Sequence, residues 1–112
     1  MGDENHAEFR AATRDPAVVR GMLEDYRAGL DIDRDHDEAD RSAGRRIASP
    51  VLMVWSQDDD LEDLHGDPLA IWRGWADDVT GHPIASGHHM AEQAHQAVAT
   101  AIAGFVLRPG PY

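Results

Sequence analysis

Cysteine is absent from the sequence, which excludes a disulfide framework and thiol chemistry. This absence is typical of proteins in a reducing compartment, so a cytoplasmic location is expected. No apolar run approaches the roughly 20 residues that a transmembrane helix needs, so no membrane partner is expected. Basic residues are scarce as well, because 10 Lys and Arg stand against 21 Asp and Glu, a formal net charge of −11. This charge disfavours electrostatic binding to nucleic acid.

Strands are few for a parallel sheet. A chain of 112 residues forms one small domain at most, and a domain of this size buries roughly 60–70% of its unfolded surface. Only residues 50–55 and 82–86 are predicted as strands, whereas a parallel sheet is normally covered by helices on both faces. The sequence therefore predicts a piece of a larger α/β protein.

Two Asp-Pro pairs, Asp15-Pro16 and Asp67-Pro68, predict helix starts, because Asp caps a helix N-terminus and Pro fits its first turn. The first helix is expected to end at Gly29. The second is expected to reach about Val79 and to be stopped by Gly81. The remaining predictions are a charged helix within residues 31–44, a polar loop over 58–66 and a final helix over 92–107.

Polar side chains follow both predicted strands. The first strand runs into an acidic segment that ends at Asp60, and the second is followed by Gly87, His88 and His89. An acid at one strand end, then a helix, then a His at the next strand end resembles the order of the last two triad members in α/β-hydrolases. The pattern predicts an α/β fold class: the last two parallel strands of an α/β-hydrolase with their flanking helices.

Longer runs resemble one family within that fold. Residues 67–79, 84–90 and 24–29, with the acidic stretch around His36, are similar to haloacetate (fluoroacetate) dehalogenases. The resemblance covers roughly residues 10–107, and soluble epoxide hydrolases share its later part. It implies that residues 1–44 are the end of a helical cap. Residues 45–112 would then be the C-terminal strand–helix–strand–helix part of the core.

The resemblance also implies a mechanism. In these families an Asp nucleophile attacks carbon, halide or alkoxide leaves, and a His activates the water that hydrolyses the resulting ester. By that pattern the nucleophile and the oxyanion hole belong to sequence before Met1, since the chain has no G-x-S-x-G motif and no equivalent Asp turn. The chain alone is expected to be inactive.

His88 and Asp59 are the predicted catalytic residues. Imidazole titrates near neutrality and can pass a proton from water to a leaving group, and the family pattern selects the His directly after Gly87 rather than His89. Asp59 occupies the acid position of the hydrolase pattern W-G-x-x-D, with Ser56 in place of the Gly. Haloacetate dehalogenases take their acid from an earlier strand end, so the acid is either Asp59 or lies upstream.

Tyr26 is the predicted halide-binding residue. It lies on the apolar face of its helix and could simply be a core residue. By resemblance, however, the Tyr of this E-D-Y-R-A run belongs to the cap and hydrogen-bonds the departing halide. A neutral O–H donor directed at developing negative charge would assist a poor leaving group such as fluoride.

Two metal interpretations fail. The Asp residues at alternate positions of 31–37 suggest a calcium loop, but His36 stands where its Gly is needed and Ser42 where its Glu is needed. The pair His88-His89 and His95 lack the H-E-x-x-H spacing that places two ligands on one helix face. No metal and no cofactor are expected.

The predicted function is hydrolytic dehalogenation of a short 2-haloacid, and this small molecule is the expected substrate. The alternatives are epoxide hydrolysis and a truncated, catalytically inactive module that survives as a dimer or binding partner. The expected macromolecular partner is a second copy of the chain or the missing N-terminal part.

Overall fold

The computed structural model describes residues 2–109. The chain divides into two compact units, one ending at Arg45 and one beginning at Arg46. This division lies one residue from the predicted domain boundary between residues 44 and 45. Residues 1 and 110–112 of the two predicted domains lie outside the described residues. The assignment of the first unit to a cap stays a prediction.

The first unit is helical: α1 is Asp3–Ala12, α2 is Pro16–Leu30 and α3 is Ile32–Ser42. The predicted start of α2 is confirmed, because Asp15 Oδ1 accepts a hydrogen bond from the Ala17 N–H at 2.8 Å. The expected end at Gly29 is wrong. A glycine ends a helix by adopting positive φ, and among the described residues only Gly44 and Gly66 do so. No described residue of these three helices is buried.

The second unit is built on a parallel pair of strands, β1 (Val51–Ser56) and β2 (Val79–Ile84). The pairing runs in register from Val51 opposite Val79 to Ser56 opposite Ile84. The parallel arrangement is confirmed, but β2 begins three residues before position 82 and Gly81 lies inside it. A Cβ atom at Gly81 would lie 1.7 Å from the Met53 carbonyl oxygen. Gly81 therefore serves the close approach of two strands and does not stop a helix.

Two short helices connect the strands, α4 (Leu61–His65) and α5 (Pro68–Arg73). The predicted polar loop over 58–66 therefore contains one helical turn. The start predicted for α5 is confirmed, because Asp67 Oδ1 accepts from the Leu69 N–H at 2.9 Å.

Helix α5 ends well before Val79 because the residues after it bond to the segment that leads into β1. The Trp75 carbonyl accepts from the Ile47 N–H, and the Asp78 carbonyl accepts from the Val51 N–H, both at 2.8 Å. Arg46 adds bonds from its guanidinium to the carbonyls of three residues and to one carboxylate, those of Arg73, Gly74, Ala76 and Asp77, at 2.6–2.9 Å. These bonds replace helical ones and turn the chain toward β2.

The segment after β2 forms α6 (Met90–Gln93) and α7 (His95–Val106). The single helix predicted over 92–107 is broken at Ala94, whose φ and ψ of −130° and 41° are not helical. Helix α5 contacts both strands and α7 contacts β1. The buried apolar residues among those described are Trp55, Pro68, Ala76, Val79 and Ile84. Within residues 2–109, no helix combines the length and the apolar character needed to cross a bilayer.

Candidate active site

The candidate site lies where β1 and β2 end. The carboxyl ends of parallel strands meet at the same edge of a sheet, so the two following loops leave it side by side. Hydrogen bonding continues past the strands, from the Gln57 N–H to the Ile84 carbonyl at 2.8 Å and from the Asp58 N–H to the Ser86 carbonyl at 3.1 Å. These bonds fix the loop that carries Asp59 against the loop that carries His88.

Asp59 and His88 contact each other directly. Asp59 Oδ2 lies 2.7 Å from His88 Nδ1. With Asp59 ionised and His88 neutral, the Nδ1–H donates a hydrogen bond to the carboxylate, so that Nε2 keeps its lone pair. The His88 side chain is 77% exposed and that of Asp59 only 28%, so the imidazole can meet a water molecule while the acid is largely enclosed. The order of strand, acid, helix, strand and His in the sequence predicts that these two side chains converge, and the contact confirms this prediction.

The Asp59 carboxylate is stabilised in its ionised form. The hydrogen bond with His88 lowers the pKa of the Asp59 carboxyl below its ordinary value, and the backbone N–H of Asp60 lowers it further. That N–H donates to Asp59 Oδ1 at 2.9 Å while His88 engages Oδ2. Each carboxylate oxygen therefore has a donor, which holds the plane of the carboxylate toward the imidazole.

A side chain of helix α6 holds the loop that precedes His88. Gln93 Oε1 accepts a hydrogen bond from the Gly87 N–H at 3.0 Å and lies 3.3 Å from the Ser86 Oγ. A Cβ atom at Gly87 would lie 2.9 Å from Gln93 Oε1, so glycine is the residue that allows this approach. The sequence did not indicate Gln93, because an exposed glutamine five residues after a His has no signature of its own.

Two other residues are candidates for the site: His89, as the alternative to His88, and Tyr26, as the halide-binding residue. The His89 ring packs edge-on against that of His88, with centroids 5.1 Å apart, and the contact with Asp59 belongs to His88. Tyr26 lies in α2, in the first unit, with 74% of its surface exposed. It is not a core residue, and its role toward a halide stays a prediction.

No group of three or more His, Asp or Glu side chains in residues 2–109 could hold a metal ion. The chemistry that the described residues offer is proton transfer by imidazole, assisted by a fixed carboxylate.

Several solved structures are similar to this chain. No family model matches the chain. A Pseudomonas aeruginosa structure of a proposed epoxide hydrolase is 40% identical, with a TM-score of 0.84 over 95% of this chain and 35% of its own. A mutant of that protein has MFA bound. A proposed α/β-hydrolase from Nostoc sp. PCC 7120 is 34% identical, with a TM-score of 0.85 over 97% of this chain and 36% of its own.

A proposed acyltransferase from Salmonella enterica is also similar, at 27% identity and a TM-score of 0.81. It is matched over 94% of this chain and 34% of its own. The chain thus spans about a third of the length of the structures it matches.

Proposed function

We propose, for a chain that has the fold of the C-terminal part of an α/β-hydrolase, that Asp59 and His88 form the acid–base end of a hydrolase triad. The observation that carries the proposal is the 2.7 Å contact between Asp59 Oδ2 and His88 Nδ1, made just beyond the ends of two adjacent parallel strands. This contact selects the imidazole tautomer whose Nε2 can accept a proton.

In this proposal His88 activates the water that hydrolyses an ester intermediate. Water attacks the ester carbonyl and gives one proton to Nε2 of His88, and Asp59 stabilises the imidazolium that forms. The proton then passes to the departing alkoxide, which leaves as the alcohol. The nucleophile is left as a carboxylic acid that holds the second proton of the water, and loss of this proton to solvent restores the carboxylate. The nucleophile and the oxyanion hole would be supplied by the rest of a whole protein, of which this chain has the C-terminal features.

Two substrate classes fit this step, and each has its own support. Dehalogenation of a short 2-haloacid is supported by the resemblance of residues 24–29, 67–79 and 84–90 to haloacetate dehalogenases. Epoxide hydrolysis is supported equally by the description of the 40% identical Pseudomonas aeruginosa neighbour. The two reactions differ in the bond that the nucleophile breaks, carbon–halogen or epoxide carbon–oxygen, and share the step assigned to His88.

A chimera tests the proposal. It joins residues 1–112 to the N-terminal two thirds of the Pseudomonas aeruginosa neighbour, and the whole neighbour is the control. Halide release from chloroacetate and fluoroacetate is measured beside diol formation from a small epoxide. If the chimera hydrolyses one substrate class and this activity depends on His88, the proposal is supported and the substrate class is identified. A folded chimera that is inactive on both classes, where the neighbour is active, would favour the inactive module.

Tyr26→Phe in the chimera is expected to slow fluoroacetate turnover far more than chloroacetate turnover, if haloacids are the substrate. Fluoride is the poorer leaving group and depends more on a hydrogen-bond donor, which contributes about 2–4 kcal/mol in such sites. The measurement is kcat for both substrates, with chloroacetate as the internal control. Equal losses on the two substrates would assign Tyr26 a packing role.

His88→Ala in the chimera is expected to raise the pKa of the Asp59 carboxyl toward its ordinary value. A carboxyl with a lowered pKa stabilises the folded protein above the ordinary pKa, and this stabilisation is lost as the pH falls through the lowered value. The thermal stability of the unsubstituted chimera relative to His88→Ala should therefore shrink as the pH falls. Carboxyl ¹³C NMR follows the titration, and His89→Ala is the control. Identical Asp59 titrations with and without His88 would contradict the contact.

A further inference from the structure

Gln93 stands at the end of a short closed segment that contains His88. Its Oε1 accepts a hydrogen bond from the Gly87 N–H at 3.0 Å. The Ser86 hydroxyl has two acceptors within reach, the Gly87 carbonyl at 3.1 Å and Gln93 Oε1 at 3.3 Å. Its own backbone N–H donates to the His89 carbonyl at 2.9 Å. The residues before and after His88 are thus both bonded to Gln93, so His88 has little freedom to move along the chain.

A backbone hydrogen bond also links Ser86 to the segment that carries Asp59. The Ser86 carbonyl accepts from the N–H of Asp58, the residue before Asp59, at 3.1 Å. Ser86 is buried, with 7% of its surface exposed. A shift of Ser86 would therefore move the backbone on both sides of the Asp59–His88 contact. Without an acceptor at position 93, the exposed Gly87 N–H would bond to water instead, and the bond that ties Gly87 to α6 would be lost.

We propose that Gln93 is a positioning residue that holds the imidazole of His88 against Asp59 through the Gly87 N–H and the Ser86 hydroxyl. The inference rests on the proposed hydrolase function, because it assigns Gln93 a part in presenting Nε2 of His88 to water. Gln93 touches neither substrate nor nucleophile in this role. A contact of about 3 Å that sets the direction of a base affects the rate more than it affects substrate binding.

Two substitutions in the chimera separate positioning from mere occupancy of space. Gln93→Leu keeps the approximate size and removes the acceptor, and Gln93→Glu keeps an acceptor oxygen. Gln96→Leu is the matched control, since Gln96 is also an exposed glutamine and makes no hydrogen bond to residues 86–88 within the described chain. The measurements are kcat, KM, thermal unfolding and the low-field ¹H resonance of the His88 Nδ1–H that Asp59 shares.

The expected result is that Gln93→Leu lowers kcat roughly three- to tenfold, leaves KM within twofold and weakens the Nδ1–H resonance. Gln93→Glu should restore both, and Gln96→Leu should change neither. If Gln93→Leu does not fold, Ser86→Ala removes one donor of the same network and should give the smaller loss. A full rate and an unchanged resonance in the folded Gln93→Leu or Ser86→Ala chimera would overturn the proposal. If the unsubstituted chimera hydrolyses neither substrate class, the proposed function fails, and the resonance alone still decides the role of Gln93.

Discussion

Replacing His88 by glutamine in the chimera is expected to stop turnover and to leave part of the substrate covalently attached to the protein. The nucleophile can still attack, because the first step needs no base when the nucleophile is a carboxylate. The ester then persists, since no imidazole takes the proton from the attacking water. Loss of a general base at this step lowers the rate by about 10²- to 10⁴-fold.

Intact-protein mass spectrometry after incubation with substrate provides the measurement. His88→Gln should gain the mass of the alkyl group in nearly every molecule, whereas the unsubstituted chimera should not. His89→Gln is the matched control, because His89 neighbours His88 and does not engage Asp59. Asp59→Asn should slow hydrolysis of the adduct without preventing its formation. Normal turnover by His88→Gln would remove His88 from the mechanism.

The approach of the two loops that carry Asp59 and His88 was predictable from the order of strands and helix in the sequence. The choice of Asp59 came from the hydrolase pattern and left an upstream acid open. Two apolar runs, each followed by polar residues and separated by a helix, predict parallel neighbouring strands whose ends meet. The fold class follows from the same pattern, and both the parallel strands and the convergence of the two side chains are confirmed. The catalytic roles of the pair, like that of Tyr26, stay predictions.

Two of the details that the sequence did not predict depend on distant backbone pairing, and a third depends on a side-chain contact. Helix α5 ends early because Ile47 and Val51, more than twenty residues before, supply donors to the carbonyls of Trp75 and Asp78. Gly81 resembles a helix stop in the sequence and is instead a strand residue opposite Met53. Gln93 gains its role only when Ser86 and Gly87 have been placed beside α6. The partners of α5 and Gly81 lie outside the window in which periodicity is read. Those of Gln93 are only six and seven residues away, but no periodic pattern indicates them.

Residues 1–112 expressed alone are expected to show neither halide release nor epoxide hydrolysis. The step assigned to His88 needs an ester intermediate, and the chain has neither a G-x-S-x-G motif nor an equivalent Asp turn that would form one. The measurement is product formation at high protein concentration, compared with His88→Ala in the same chain to define the background. The chimera is the positive control.

The isolated chain is also expected to associate, because its apolar surface is poorly covered. Only five apolar residues are buried among the described residues, and the exposed apolar residues include Leu23, Leu30 and Ile102. Within the described part of the chain, each strand pairs along one edge, and an open groove of about 760 Å³ lies between the sheet and α7. Unpaired strand edges beside apolar surface favour pairing with another chain.

Size measured by light scattering and thermal unfolding tests the association. The chain should behave as a dimer or larger species relative to its 12.3 kDa monomer, with an unfolding midpoint that rises with protein concentration. In the chimera, the additional residues from the neighbour would cover the same surfaces. The chimera should therefore form smaller oligomers than the isolated chain at equal concentration. A cooperatively unfolding monomer that forms product above the His88→Ala background would refute both expectations. Such a monomer would need a nucleophile among its own 112 residues. The proposal that His88 hydrolyses an ester formed on another part of the protein would then be wrong.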